Sequence, residues 1–105
     1  MEQPNLNYIK EISGGDADFQ KEMIQVIQKE FPTEVATYHQ TLAVKDYRGI
    51  AEIVHKIKHK ISILGLEESY KTAMVYEENL REHSFEKQAE FEKTLQNMTD
   101  FLASL

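Results

Sequence analysis

Apolar residues recur every three or four positions along most of the chain, and interruptions of that rhythm divide it into helices. A short first helix is expected over about Leu6 to Ile12, stopped by Ser13-Gly14-Gly15. Asp16 is placed to cap a second helix, with Asp18 in its first turn, where the helix dipole favours negative charge. Phe19, Met23, Val26 and Ile27 follow at helical spacing. Pro32 is expected to kink or split this helix near Phe31, and Thr33 to Val44 continue it with Val35, Tyr38 and Leu42 inward. Asp46 caps a third helix whose stripe is Ile50, Ile53, Val54, Ile57, Ile61 and Leu64, with Gly65 ending it or lying in its last turn. Glu67 and Glu68 open a fourth, with Tyr70, Ala73, Met74, Tyr76 and Leu80 as core residues. Ser84 is expected to cap a last helix with the seam Phe91, Leu95, Met98, Leu102 and Leu105. Short loops between long amphipathic helices imply antiparallel neighbours. The expected fold is all-α, an up-down antiparallel four-helix bundle with a short additional N-terminal helix.

With 105 residues the chain is expected to form a single domain, residues 1–105, able to stand alone as a monomer. It has no cysteine, which removes disulfides, thiolate metal sites and cysteine nucleophiles and fits a cytoplasmic location. The stretch Met1 to Asn5 has neither a basic region nor an apolar run, so no secretory signal is expected there. No apolar run approaches the ~20 residues that a membrane helix needs. A net charge of −6 argues against a general nucleic-acid binder. Within residues 45–60, however, Lys45, Arg48, Lys56, Lys58 and Lys60 face only Asp46 and Glu52. A basic stretch in an acidic protein points to one dedicated contact surface.

On a helical wheel His55 falls well away from the apolar stripe and shares the outer face with Arg48, Glu52, His59 and Ser62, flanked by Lys56 and Lys58. Neutral imidazole is a good nucleophile near pH 7. Lys58, three positions on, is a neighbour that can approach an oxyanion at His55. Periodicity alone equally allows a plain surface histidine and a solvated lysine. His55 and His59 also have the i, i+4 spacing of a helical metal pair. No glutamate stands between them as in HExxH, and Lys56, Lys58 and Lys60 around a dication are an electrostatic penalty. His39 and His83 lie in other segments without an evident partner. No Ser-His-Asp arrangement, phosphate-binding loop or dinucleotide loop is present, and Gly14-Gly15 reads as a helix stop.

The run His55-Lys56-Ile57-Lys58-His59-Lys60-Ile61-Ser62-Ile63-Leu64-Gly65 resembles the core of the histidine-containing phosphotransfer (HPt) domain. That pattern is roughly His-x-Leu/Ile-Lys-Gly, then a small residue, then Gly ten positions after the histidine. His55, Ile57, Lys58, Ser62 and Gly65 fit it. Leu6 to Asp16 looks like the family's lead-in helix and break, and Leu66 and Tyr76-Glu77 stand where the family often has apolar and Leu-Glu positions. One position departs: His59 occupies the place of the family's usual Gly, one turn along the face of His55.

The resemblance implies a carrier in a two-component phosphorelay, a phosphoprotein rather than an autokinase. His55 would accept a phosphoryl group from the aspartyl phosphate of a receiver domain and pass it to another receiver. The partners would be receiver domains of a hybrid sensor kinase and a response regulator. They would bring the aspartate and Mg²⁺, so no cofactor is expected on this chain. Lys58 would help hold the phosphoryl oxygens. Glu77 would accept a hydrogen bond from the second imidazole nitrogen, unless it is only a surface carboxylate. Because of His59, a receiver-binding scaffold that has lost transfer is the first alternative, and a His55/His59 metal-binding bundle the second.

Overall fold

In the computed structural model, which describes residues 2–105, five helices follow one another: α1 (Asn7–Ser13), α2 (Ala17–Ala43), α3 (Tyr47–Ile63), α4 (Glu67–Arg81) and α5 (Gln88–Ala103). No strand occurs among the described residues, so the chain is all-α. Met1, part of the stretch expected not to be a leader, lies outside the described residues. Packing runs in a ring, α2 on α3, α3 on α4, α4 on α5 and α5 back on α2, with α1 laid against α2. Three residues join α2 to α3 and three join α3 to α4, which turns each helix back on its predecessor. This is the expected four-helix bundle with a short N-terminal helix.

The caps act where the sequence placed them. Asp16 Oδ1 accepts from the backbone N–H groups of Asp18 and Phe19, at 3.0 and 3.1 Å, and Asp46 Oδ1 accepts from that of Gly49 at 3.0 Å. Each satisfies donors that a helix start leaves unpaired. At the end of α3, Gly65 N–H donates to the Ser62 carbonyl and Leu66 N–H to the Ile61 carbonyl, with Gly65 in the left-handed region at φ +77°. Ile61 and Leu66 are both fully buried beside this turn, the apolar contact that accompanies it. The ends of α2 and α4 repeat the turn with Lys45 and His83 at the left-handed position. His83 is exposed but not isolated, because its ring stacks on Tyr47 with centroids 4.3 Å apart.

The core is built from Ile27, Phe31 and Tyr38 of α2, the α3 stripe from Ile50 to Ile61, Ala73, Tyr76 and Leu80 of α4, and Phe91, Leu95, Met98 and Leu102 of α5. Inside it the Tyr38 and Tyr76 hydroxyls meet at 2.8 Å and Tyr38 donates to Glu92 at 2.9 Å, so neither hydroxyl is left unpaired. The N-terminal segment straps the far side: Asn5 N–H donates to the Leu64 carbonyl, and Glu2 accepts from Ser69 N–H at 2.7 Å. Glu2 thus caps α4, whose own N-cap residue, Leu66, has no side chain able to do so.

Several expectations fail. Of the kink or split expected at Pro32, the split does not occur: α2 is continuous through it. Pro32 faces solvent while Phe31 anchors the core side, so the carbonyl its ring releases is not stranded inside. Phe19, Val26 and Met74 are roughly half exposed. Helical spacing gives the direction of a side chain but not whether a neighbouring helix reaches it. Ser84 does not cap α5, which starts at Gln88 after Lys87; its hydroxyl instead accepts from Glu86 N–H in the preceding turn. Leu105 lies past the end of α5 and is exposed. Lys60, expected near His55, is turned to the opposite flank of α3 and buried, 2.9 Å from Glu34 and 3.1 Å from Glu30 of α2.

Candidate functional site

The buried residues Val54, Ile57 and Ile61 fix the rotation of α3. They leave His55 and Lys58 on the side facing solvent and α4. On α4, Tyr76 points into the core and Glu77, the next residue, falls at the α3–α4 seam. The His55 side chain is 51% exposed and that of Glu77 only 10%. A carboxylate is therefore held at the edge of the core directly beneath an accessible imidazole.

Glu77 is the hub of this site. His55 Nδ1 lies 3.1 and 3.2 Å from its two oxygens. Lys58 Nζ donates to Oε1 at 3.1 Å and Arg81 Nη2 to Oε2 at 2.9 Å. Burial alone would push the Glu77 carboxyl up. Hydrogen bonds from Lys58 and His55, with the charges behind them, outweigh it and hold the carboxyl below the usual glutamate range. An ionised carboxylate only accepts hydrogen bonds. The proton between the two residues must then sit on His55 Nδ1, which leaves the lone pair of the neutral ring on Nε2. Lys58 is itself mostly buried, with Nζ 5.7 Å above the centre of the Tyr70 ring, so its stem is packed and its ammonium is held on Glu77 beside His55.

The other residues singled out in the sequence separate into two groups. His59 is exposed, with its ring centroid 5.0 Å from that of His55 and the rings edge to face. It stands beside His55 on the open side of the site. Ser62 is exposed on α3 and makes no hydrogen bond to the cluster. Gly65 is remote, ten residues or roughly 15 Å of helix rise from His55. Its role is conformational: a Cβ there would sit 2.6 Å from the Asn5 side-chain amide, and its φ is positive. Arg81 escaped the sequence reading, although Glu77 and Arg81 have the i, i+4 spacing of a helical ion pair. Among the described residues no group of three or more His, Cys, Asp or Glu side chains is arranged to hold a metal ion. A His55/His59 site would need further ligands from outside the chain.

The site is thus a helical bundle that presents an accessible imidazole whose second nitrogen is anchored on a buried carboxylate. The family model described as Hpt domain matches residues 22–104, and the chain belongs to that family. Comparisons with curated proteins and with solved structures return no match. The match begins within α2, so it does not extend over the Leu6–Asp16 segment that resembles the family's lead-in. Membership gives the chain a phosphotransfer role in two-component signalling and receiver domains as its class of partner. No described helix is long and apolar enough to cross a membrane.

Proposed function

We propose that this protein is a phosphorelay carrier that accepts a phosphoryl group on Nε2 of His55 from the aspartyl phosphate of one receiver domain and delivers it to the aspartate of another. The observation that supports this most is the His55–Glu77 hydrogen bond, which ties up Nδ1 while the ring stays half open to solvent.

The chemistry balances without a base on this chain. The Nε2 lone pair forms the P–N bond as the P–O bond to the partner's aspartate breaks, and that aspartate leaves as a carboxylate. Nε2 carries no proton, so none must be removed. The ring retains its Nδ1 proton and becomes cationic as the bond forms, and Glu77 faces that charge. The cationic ring is also a good leaving group, which suits onward transfer to a second aspartate. Lys58 is the group we assign to charge neutralisation of the phosphoryl oxygens. Mg²⁺ and the aspartate belong to the receiver, so the carrier needs neither a cofactor nor autokinase activity, and a cytoplasmic monomer suffices.

The test is transfer from a labelled, phosphorylated receiver, with His55→Gln as control. Acid-labile, base-stable label that disappears in the mutant is expected; undiminished label in His55→Gln would sink the proposal. His59 favours one second reading, a receiver-binding scaffold without transfer, because its ring occupies the approach beside the acceptor. Stoichiometric phosphorylation of His55 eliminates that reading.

A further inference from the structure

Anchoring Nδ1 on a carboxylate creates a conflict. The hydrogen bond selects the tautomer with a free Nε2 lone pair, but a carboxylate beside an imidazole also stabilises the imidazolium, in which that lone pair is protonated and unreactive. A lone buried Glu77 would therefore orient the nucleophile and extinguish it together. The structure contains a counterweight. Two cations, Lys58 and Arg81, are hydrogen-bonded to the same carboxylate, one on each oxygen. Glu77 thus faces more positive charge than it carries, before any proton is added to His55.

We infer that Arg81 is a positioning residue for the phosphoryl acceptor: by holding Oε2 of Glu77 it lets the carboxylate fix the His55 tautomer without drawing a second proton onto the ring. This rests on the carrier function proposed above. Arg81 is one turn beyond Glu77 on α4, and its guanidinium nitrogen is bound to the very oxygen that stands 3.2 Å from His55 Nδ1. The two nitrogens are therefore no more than about 6 Å apart, close enough for a charge to act on the ring's protonation. The Arg81 side chain is 68% exposed, so it is not there to fill the core. Near His55 stand Glu77 on α4, hydrogen-bonded to the ring, and on α3 His59 against the ring, Lys58 on the same carboxylate, the adjacent exposed Lys56, and Glu52 one turn back paired to Arg48. Among the described residues no side chain of α1, α2 or α5 is hydrogen-bonded or ion-paired to the ring.

The experiment is a pH titration of the ring nitrogens of His55 by nitrogen NMR in the whole protein, with the pH profile of phosphoryl transfer measured alongside. Wild type is compared with Arg81→Gln, Arg81→Lys and Arg48→Gln. In Arg81→Gln the ring should take up its second proton about half a pH unit higher, a figure set by an exposed charge in high dielectric. The acid limb of the transfer profile should move with it, slowing transfer up to about threefold on that side. Arg81→Lys should restore most of both. Arg48→Gln removes the same charge without touching Glu77 and should shift the titration far less. An unmoved titration in a folded Arg81→Gln protein would overturn the inference. So would an equal shift in Arg48→Gln, which would reduce Arg81 to part of the general field. The titration needs no partner. If it shifts as expected while even wild type takes no phosphoryl group from any receiver, Arg81 keeps its hold on the ring and it is the carrier function that fails.

Discussion

Two lysines on α3, two residues apart, anchor two ion clusters of opposite design. Lys60 is buried against α2, where one ammonium serves two carboxylates, Glu34 and Glu30. Lys58 lies against α4, where two cations, Lys58 and Arg81, share the single carboxylate of Glu77, and an open imidazole completes the group. The first cluster buries its ammonium and carries excess negative charge. The second buries its carboxylate, leaves an imidazole open to solvent and carries excess positive charge. Salt bridges as such therefore say little about function; what separates the two clusters is an accessible nucleophile and a charge balance suited to an incoming anion.

The sharpest break in this comparison is His55→Gln. Transfer should fall to background while stability in urea changes by no more than ~0.5 kcal/mol, because the side chain is half exposed. The Lys60 cluster should respond in reverse. Glu34→Ala strands the buried Lys60 with only Glu30, whose side chain is 56% exposed, and should cost about 2–3 kcal/mol by urea unfolding. Transfer per folded molecule should stay unchanged. Replacing the pair together, Lys60→Met with Glu34→Leu, should recover stability to within about 1 kcal/mol of the parent, or exceed it, since paired burial of charge contributes little net. A double variant as unstable as Glu34→Ala would show that the Lys60 cluster does more than fill space.

Glu77→Gln tests the open cluster at its hub. It keeps the shape but loses a charge-assisted hydrogen bond, and transfer should drop about tenfold. The tautomer balance of His55, read by nitrogen NMR, should move towards the form with the proton on Nε2. The smallest effect is in the pH dependence of stability, where the clusters fail at opposite ends. Glu77 is held below its ordinary value of 4.5, so its contribution is whole above that value and is lost as pH falls through the lower folded value. For Lys60, burial works to lower the ordinary value of 10.5, and hydrogen bonds and charge from Glu34 and Glu30 more than reverse it. Its contribution is whole below 10.5 and drains away as pH rises through the higher folded value. Thermal melts across pH should show Glu77→Gln flattening the acid limb and Glu34→Gln the alkaline one.

Much of this was legible in the sequence. The α3 stripe placed His55 outward, Asp16 and Asp46 announced their helices, and the resemblance made Glu77 a candidate partner for the second imidazole nitrogen, with a plain surface carboxylate as the alternative. What stayed hidden depends on which helix lies opposite. Lys60 looked like a companion of Lys56 and Lys58 until α2 brought Glu30 and Glu34 against it. Val26 and Met74 had core spacing but no helix covering them. Pro32 broke a local rule that packing on one side of a long helix absorbed. Arg81 was readable from its spacing to Glu77, but its meaning appeared only with His55 on the same carboxylate.

The three-residue turn between α3 and α4 has a kinetic consequence. His55 and Glu77 are separated by 22 positions along the chain, whereas the contacts of Glu2 with Ser69 and Asn97 span 67 and 95. Short loops close early and at little entropic cost, while long-range ties wait for the rest of the chain. Hydrogen exchange should find the amides of the N-terminal strap opening well before those flanking His55 and Glu77. His55 and Glu77 thus belong to a hairpin closed by near-neighbour contacts, while the cap that Glu2 places on α4 is held across a far longer stretch of chain.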